Sequence, residues 1–390
     1  MATFRKRGKT WTYQITIKDP ATGNRRHISK GGFVKKKEAE LAAAEVEKEI
    51  FENRYQQDQD ILFKDFAEKW FMEYSQKYKE SSVRARGYDL NHHLERFAYA
   101  KIKDITKKAY QEMINDLKSK GLSVNTIGGI HGVGRMIFRK AMEEDVIKRN
   151  PTEYATIPKG VKTVEDIEQE ETKIKYLEKE ELSHFLEIAK EHGLENDYFV
   201  FLTLSYTGMR AGEFCALKWS DINFEEQTIS ITKTLYNPNN NLPKFKLLPP
   251  KTKRSKRTIH VDSFVLDELK KLKGVQNQVK MQYRDEYFDG DFIFVNYKKH
   301  LGYPEVIKTI ERRMNSLLKI AKLNEELTPH SLRHTHTSLL AEAGVSLEGI
   351  MDRLGHVDDR TTKTVYLHVT KTIKKEASEK FSDLMKNIRG

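Results

Sequence analysis

The sequence has a single cysteine, Cys215, among its 390 residues, and it has no long apolar run. One thiol excludes an internal disulfide framework and any zinc or iron–sulfur site that is built from several cysteines. The longest apolar run, residues 199–204, is far shorter than the roughly 20 residues that cross a bilayer. The basic N-terminus is followed by no apolar secretion signal. These absences predict a cytoplasmic protein without a membrane segment.

Apolar residues are also scarce, at 38% of the chain. This share is below that of typical globular domains, so the chain has much surface relative to its core. A length of 390 residues corresponds to two or three domains at about 150 residues each. The composition therefore favours several modest domains over one compact globule.

Positive charge is concentrated at the N-terminus. The formal net charge is +12, and the first 37 residues contain eleven Lys and Arg but only one acid, Asp19. Such a block attracts polyanions because each phosphate that it neutralises releases counterions, although a solubilising tail is the alternative. Alternation of polar and apolar residues from Thr10 to Ile17 predicts a strand. We expect a second strand over Arg26–Ser29, a break at Gly31-Gly32 and a helix over Lys37–Phe51.

The next block, residues 57–160, is predicted to be helical. It opens with an apolar stripe at helical spacing, formed by Phe63, Phe66, Ala67, Trp70 and Tyr74. Further helices are expected over Ser81–Phe97, Lys107–Lys118 and Ser123–Glu144.

The last of these helices contains an unusual set of glycines, namely Gly128, Gly129, Gly132 and Gly134. Each costs about 1 kcal/mol of helix stability relative to Ala. A phosphate-binding loop is excluded because no strand precedes the glycines and no Lys-Ser/Thr follows them. The glycines therefore predict a close approach of this helix to DNA or to another helix.

Residues 161–172 are acidic and almost free of aromatic residues, which predicts a linker. The remainder is expected to be mostly helical, with strand-like runs at Thr228–Thr232 and Thr258–Val261. The predicted fold class is therefore multidomain α+β. It comprises a small β-sheet plus helix over 1–56, an all-α domain over 57–160, the linker over 161–172 and a mostly α domain with a small β-sheet over 173–390.

Three segments of the last domain carry residues that are suited to phosphate chemistry. Thr207-Gly208-Met209-Arg210 places an arginine just before a helix, where a guanidinium and backbone donors can meet one anion. Residues 251–257 contain five cations on an expected β-hairpin, either DNA-facing or solvated. His330 and Arg333 lie three residues apart on one helical face. The chain downstream adds a further histidine and a hydroxyl nucleophile, His356 and Tyr366.

Other chemistries fit these residues less well. His330 and His334 have the spacing of a zinc pair, but Ser331 stands where a metalloprotease has its general-base Glu. Cys215 lies among apolar residues of a predicted helix, where a lone cysteine is most often part of the core. Acids do not cluster as a two-metal nuclease requires. The sequence therefore predicts neither a metal nor a cofactor.

Together these motifs resemble those of the tyrosine recombinases, or phage-type integrases. The resemblance rests on Thr-Gly-Met-Arg-Ala-Gly-Glu (207–213), Pro-Lys-Thr (250–252), His-Ser-Leu-Arg-His (330–334), Leu-Gly-His (354–356) and Tyr366 followed by His368. Upstream, residues 32–40 resemble the end of the arm-binding domain in integrases of phages and integrative conjugative elements. The 57–160 block resembles their SAM-like core-binding domain and ends in the similar Asn150-Pro151. The resemblance thus covers nearly the whole chain.

The resemblance implies a catalytic set of Arg210, Lys251, His330, Arg333, His356 and Tyr366. In such a set the arginines neutralise the scissile phosphate and the tyrosine forms a 3′-phosphotyrosine bond. The lysine protonates the leaving 5′-oxygen, with Lys253 as a rival of Lys251 for this role. The histidines act as acid, base or hydrogen-bond donor. Covalent storage of the bond energy makes metal and ATP unnecessary.

The implied activity is site-specific integration and excision of a mobile element. A homotetramer would carry it out on double-stranded DNA, at core and arm attachment sites. The implied location is the bacterial cytosol, at the nucleoid. A host bending protein and an excision factor are the expected partners. A type IB topoisomerase-like enzyme and a non-cleaving DNA-binding regulator are the alternatives. The C-terminal residues predict a helix that packs on its own domain or exchanges into a neighbouring protomer, with an apolar face of Ile373, Ala377, Phe381, Leu384 and Ile388.

Overall fold

The computed structural model describes residues 2–18, 24–51, 60–160, 176–237, 239, 241–250, 253–355, 362–367 and 369. The chain divides into two compact units, unit 1 with residues 1–161 and unit 2 with residues 162–390. Within the described ranges, no helix combines the length and the apolar character that are needed to cross a bilayer.

Unit 1 begins with a three-stranded antiparallel sheet that a helix covers on one face. The elements are β1 (Ala2–Arg7), β2 (Thr10–Lys18), β3 (Arg25–Phe33) and α1 (Lys36–Phe51), with strand order β1-β2-β3. Tyr13 and Ile15 pack against Ala43 of α1, because alternate side chains of a strand point to the same face. The predicted strand and helix are confirmed. Strand β1 was not expected, since its second half is entirely basic.

The expected break at Gly31-Gly32 is wrong, because both glycines lie inside β3. The register between β2 and β3 shifts at this point, between Trp11 and Tyr13. Gly32 has a φ of 93°, and a Cβ at Gly31 would meet Thr12 Oγ1 at 2.7 Å. The glycines thus accommodate an irregularity, and the strand stays paired as far as Phe33.

The second part of unit 1 is helical, as predicted. Its helices are α2 (Phe63–Lys77), α3 (Glu80–Phe97), α4 (Lys107–Ser119) and α5 (Val124–Glu143). The first four members of the predicted stripe are buried in the core of this part. Helices α4 and α5 begin where Thr106 and Ser123 accept a backbone N–H with their side chains, which satisfies a donor at each helix start.

A histidine is buried among aromatic rings at the centre of these helices. His93 Nε2 donates to the Ile130 carbonyl at 2.8 Å, and its ring centroid lies 6.0 Å from that of Tyr110. Burial lowers the pKa of His93 to about 4. A Cβ at Gly134 would meet His93 Cε1 at 2.7 Å, whereas a Cβ at Gly132 would meet nothing within 4 Å. One glycine of the set therefore permits close helix packing, and another leaves the helix surface open.

In the described part of unit 2, helices surround a large core and a smaller apolar cluster, and there are two small sheets. The helices are α6 (Lys179–His192), α7 (Asp197–Thr207), α8 (Ala211–Cys215), α9 (Ser263–Gln282), α10 (Ile307–Ile320), α11 (Pro329–Glu342) and α12 (Leu347–Leu354). One antiparallel sheet contains β4 (Ile222–Asn223), β5 (Thr228–Ile231) and β8 (Arg257–His260), and a second contains β6 (Thr234–Tyr236) and β7 (Lys246–Leu248). Residues 362–367 are also helical. The predicted mostly helical domain with a small sheet is confirmed.

Helix α7 contributes to the unit 2 core, and eight of its eleven residues are buried. Phe201 and Leu204 are buried along it, and Cys215 of α8 lies in the same core. Burial raises the pKa of the Cys215 thiol. The interpretation of this cysteine as a core residue is therefore confirmed.

The basic segment 251–257 is not a hairpin of its own in the part that the structure describes. Lys253–Ser255 form a turn of 3-10 helix, and Arg257 begins β8, which pairs with β5. Lys251 and Thr252 lie outside the described residues. The strand pairing turns one of the five cations, Arg257, inward.

Candidate active site

The segment 207–210 lies where α7 ends and α8 begins. Gly208 ends α7 with a φ of 60°, a left-handed conformation that favours glycine. Arg210 then precedes α8, and its backbone N–H donates to Glu213 Oε2 at 3.2 Å. Arg210 Nη1 donates to Glu213 Oε1 at 2.9 Å, while its side chain is 37% exposed. One carboxylate thus holds the backbone and the guanidinium of Arg210 and leaves the guanidinium accessible.

Glu213 itself is only 4% exposed and binds a second arginine. Arg257 Nη2 donates to Glu213 Oε2 at 2.9 Å, and Arg257 Nε donates to the Arg353 carbonyl at 2.8 Å. Burial alone would raise the pKa of Glu213, but Arg257 and Arg210 hold it below the ordinary value of a carboxyl group. The carboxylate is therefore ionised. The DNA-facing or solvated interpretation of Arg257 is wrong, because its side chain is 6% exposed.

Arg333 lies on the inner side of α11 and is 1% exposed. Its Nη1 donates to the Gly208 carbonyl at 2.6 Å, and its Nη2 donates to the Leu354 carbonyl at 2.7 Å. The guanidinium therefore joins the end of α7 to the end of α12. A guanidinium carries five N–H donors, so holding two carbonyls is compatible with contacting an oxyanion.

His330 differs from Arg333 in exposure, although the two share the helix α11. His330 is exposed at the start of the helix, and its ring centroid lies 4.9 Å from that of His334 in an edge-to-face arrangement. In the described ranges, no three His, Cys, Asp or Glu side chains group as metal ligands. His330 is thus placed to meet a ligand that arrives from solvent.

Tyr366 lies in the helical stretch 362–367 and is half-buried. It packs against a small apolar cluster that includes Ile350 and Leu354. Leu354 takes part in two interactions at this site. Its side chain belongs to the cluster against which Tyr366 packs, and its carbonyl accepts a hydrogen bond from Arg333. The residue that binds the predicted arginine thus belongs to the cluster against which the predicted nucleophile packs.

Two of the six predicted residues, Lys251 and His356, lie outside the described residues, as does the side chain of Lys253. Their described neighbours are close together. A Cβ at Gly355, which precedes His356, would meet the Arg254 carbonyl at 3.0 Å and Ser255 Cα at 3.2 Å. Gly355 therefore lies directly against residues 254 and 255 of the basic segment.

The sequence analysis predicted no separate role for four further residues of this region, which are Glu213, Arg257, His336 and Arg353. For two of these residues, the sequence contains a pattern that could have indicated the site. His336 follows Arg333 by one helical turn, and Arg353 directly precedes the Leu-Gly-His motif. The contacts of Arg257 and Glu213 join positions 44 residues apart, and no local pattern predicts such a pairing.

Known proteins share this organisation. Residues 175–372 match the Phage integrase family, residues 3–50 an Arm DNA-binding domain and residues 62–118 the Phage integrase, N-terminal SAM-like domain. The integrase of Staphylococcus phage L54a is 32% identical over 305 residues, which cover 73% of this chain and 85% of that protein.

Solved structures show the same fold. The integrase of transposon Tn1549 in complex with transposon right end DNA has a TM-score of 0.63 at 21% identity, over 82% of this chain and 100% of that one. A lambda integrase tetramer bound to a Holliday junction has a TM-score of 0.56 at 18% identity, over 93% and 96%. From its family match and its phage relative, the chain belongs to the phage integrase family of tyrosine recombinases, the enzymes that break and rejoin DNA at specific sites.

Proposed function

We propose that this recombinase uses Tyr366 as its nucleophile and uses Arg210 and Arg333 to bind the scissile phosphate. The observation that carries this assignment is the position of Leu354, whose side chain belongs to the cluster that Tyr366 packs against and whose carbonyl binds Arg333. Arg333 in turn binds the Gly208 carbonyl, two residues from Arg210. These contacts connect the segments that carry the three groups, as binding of one common phosphate requires.

In the proposed step, Tyr366 Oη attacks the scissile phosphorus and the bond from phosphorus to the 5′-oxygen breaks. The tyrosine proton passes to a base, for which the exposed His330 is our candidate. The leaving 5′-oxygen receives a proton from Lys251, and His356 hydrogen-bonds the phosphate. Fixed charges on Arg210 and Arg333 stabilise the nonbridging oxygens as their charge grows. Attack by a 5′-hydroxyl on the phosphotyrosine then reseals the strand without ATP.

A nicked duplex that carries the DNA flanking this coding region tests the nucleophile. We expect the wild-type protein to form a covalent adduct that resists denaturant, and Tyr366→Phe to bind the same DNA without forming the adduct. Tyr283→Phe, at an exposed tyrosine outside the site, is the matched control and should retain the adduct. An adduct with Tyr366→Phe would refute the assignment. Relaxation of supercoiled DNA without sequence preference would favour a topoisomerase.

The sheet face opposite α1 supports an arm-site contact over residues 1–56. Exposed Arg5 lies opposite Thr12, and Thr3 lies opposite Gln14, so polar side chains alternate onto one face. We assign this face to arm-site phosphates and base edges. Arg5→Ala should weaken arm-site binding and lower its salt dependence by about one ion, with core-site cleavage unchanged.

In residues 57–160, one face of α5 supports contact with the core site. Gly132, Arg135 and Arg139 follow that face at helical spacing, and both arginines are exposed. The open space above Gly132 allows the helix backbone to approach a duplex. With one surface for the arm site and another for the core site, we propose that a single protein molecule bridges the two DNA sites. A host bending protein would bring these sites together, and an excision factor would decide between integration and excision.

A groove of about 990 Å³ on unit 2 supports assembly into a tetramer. Apolar side chains from α6, α7 and α11 line it, among them Leu182, Leu186, Leu202 and Leu339. We propose that it receives the C-terminal residues of a neighbouring protomer, whose predicted apolar face lies outside the described residues. Apolar chemistry on both surfaces supports this pairing.

Truncation after Thr370 should abolish tetramers on DNA and spare binding to a single site. Leu186→Glu should have the same effect, because it places a charge in the groove. Glu191→Gln, on the same helix but outside the lining of the groove, is the matched control and should still assemble. Tetramers formed by the truncated chain would show that the tail packs elsewhere, and sedimentation of protein–DNA complexes distinguishes these outcomes.

A further inference from the structure

Next to the turn that leads to Arg210, the buried His336 and Arg353 form a hydrogen bond with each other. His336 lies one helical turn after Arg333 and is 7% exposed. Its Nδ1 is 2.8 Å from the Ser205 carbonyl, and its Nε2 accepts an N–H from Arg353 Nε at 3.0 Å. Because a carbonyl only accepts and an arginine only donates, these bonds place the imidazole proton on Nδ1. Burial, together with Arg353, lowers the pKa of His336 to about 3, so the ring stays neutral and does not serve as an acid or a base in the reaction.

Arg353 extends from this histidine to two further elements. Its Nη1 donates to the His260 carbonyl at 2.9 Å, at the end of β8, and its Nη2 donates to the Tyr206 carbonyl at 3.2 Å, in the last turn of α7. The Arg353 carbonyl accepts from Arg257, the partner of Glu213. One side chain thus connects α7, β8, α11 and α12.

The His336–Arg353 pair lies close to the segments that hold both predicted phosphate-binding arginines, Arg210 and Arg333. Arg353 is adjacent to Leu354, whose carbonyl holds Arg333. A Cβ at Gly208 would meet His336 Cδ2 at 2.6 Å, so the imidazole ring occupies the space beside the turn that leads to Arg210. A displacement of either partner therefore moves both carbonyls that Arg333 binds.

We propose that Arg353, held by His336, is a positioning residue for strand cleavage, which sets the Leu354 carbonyl and the 206–208 turn and thereby orients Arg333 and Arg210. The inference rests on the proposed function of those two arginines. Arg353 acts through them and leaves the chemistry to them. Its removal should slow cleavage and leave the affinity for DNA unchanged, because the guanidinium of Arg353 binds protein groups and is not one of the groups that we assign to phosphate.

The test compares cleavage rates of the full-length protein on two nicked duplexes of the flanking DNA. One has an ordinary scissile phosphate, and the other has a methylphosphonate, which lacks the negative charge that the arginines neutralise. On the phosphate, we expect Arg353→Met to slow single-turnover cleavage by about 10- to 100-fold with the DNA dissociation constant within about twofold. On the methylphosphonate, we expect the deficit of Arg353→Met to shrink, as it should for Arg333→Ala.

A general loss of structure would lower both rates equally, so an equal deficit on the two substrates would overturn the proposal. Wild-type rates for Arg353→Met would overturn it as well. Arg284→Met, the same substitution at an exposed arginine, is the matched control and should cleave both substrates normally. Absence of cleavage by the wild-type protein would instead count against the proposed function itself.

The pairing with His336 has its own measurement. His336→Phe removes the acceptor of Arg353 Nε, and the double variant with Arg353→Met should be no slower than the slower single variant, because both remove one interaction. Multiplying deficits would show that the two residues act independently. If Arg353→Met is unfolded, Arg353→Lys replaces it, since lysine retains the charge but lacks the guanidinium fork. Full activity of Arg353→Lys on the phosphate would overturn the proposal.

Discussion

In the described part of the chain, each unit buries one histidine, and the two histidines have different partners. His93 in unit 1 donates to one carbonyl and otherwise lies among aromatic rings. His336 in unit 2 binds a carbonyl and an arginine. Burial lowers the pKa of both, to about 4 and about 3. A buried, neutral histidine is therefore no sign of function by itself, and the groups that it binds distinguish a core residue from a connector.

The same contrast extends to the surroundings of the two histidines. The helical core of unit 1 is filled by rings such as Phe63, Tyr110 and Phe138, whose centroids lie 5.6 to 5.9 Å apart in successive pairs. Unit 2 instead buries ions, including Glu213 with Arg257. Buried ion pairs add little net stability, but the loss of one partner is costly. Unit 1 is thus held by packing, and unit 2 has an additional arrangement of charges that fixes geometry.

The largest expected effect comes from removing the central charge of unit 2. Glu213→Ala leaves Arg257 buried without its counter-charge, so we expect the free energy of unfolding to fall by about 3–5 kcal/mol and cleavage to be lost. Urea unfolding and the adduct assay measure the two effects. Asp267→Ala, at an exposed partner of Lys270, is the control and should change stability by less than about 0.5 kcal/mol. A comparable loss in the control would remove the distinction between buried and exposed charges.

The stability of unit 1 should depend on pH because of the buried His93. The unfolded chain protonates His93 near pH 6.5, and the folded chain does so only near pH 4, so stability falls as the pH drops through this window. The expected loss from His93 is about 3 kcal/mol between pH 7 and pH 4.

The variant His93→Gln isolates this contribution. Its amide nitrogen can still donate to the Ile130 carbonyl, but it does not titrate. Urea unfolding at both pH values should therefore show a flatter pH dependence for the variant by about the same amount. An identical pH dependence in the two proteins would mean that His93 is not the titrating group.

The smallest effects concern two glycines on one helix of unit 1. Gly134→Ala should destabilise the chain by about 1–3 kcal/mol, because its Cβ would overlap His93 and Tyr110. Gly132→Ala has open space and should stabilise the chain by up to about 1 kcal/mol. Core-site affinity, measured beside thermal unfolding, should fall for Gly132→Ala if that face meets DNA. Equal stability changes in the two variants would contradict the packing difference.

Elements with a local repeat were predictable from the sequence. The stripe that begins at Phe63 indicated α2, and the alternation around Tyr13 indicated β2, because both patterns depend on neighbouring residues. Strand β1 and the irregularity at Gly31 were not predictable, since each depends on pairing with β2.

The candidate site divides in the same way. The motifs indicated Arg210, Arg333 and Tyr366. They gave no indication that Arg333 is buried, or that its partner Leu354 belongs to the cluster against which Tyr366 packs. The contact of Arg353 with the His260 carbonyl spans 93 residues, and that with the Tyr206 carbonyl spans 147. Contacts of this range result from how the elements pack, and a linear pattern does not contain them.

The burial of Cys215 makes this recombinase convenient for optical and kinetic work. Alkylating reagents need an accessible thiolate, and this thiol is enclosed in the folded core. Because the chain has no other cysteine, the rate of labelling in denaturant reports the opening of unit 2 alone. A cysteine introduced at an exposed position would accept a fluorophore while the native thiol stays silent. The labelling rate of Cys215 thus measures the unfolding rate of unit 2, and its burial in the folded protein leaves surface positions available for specific labelling.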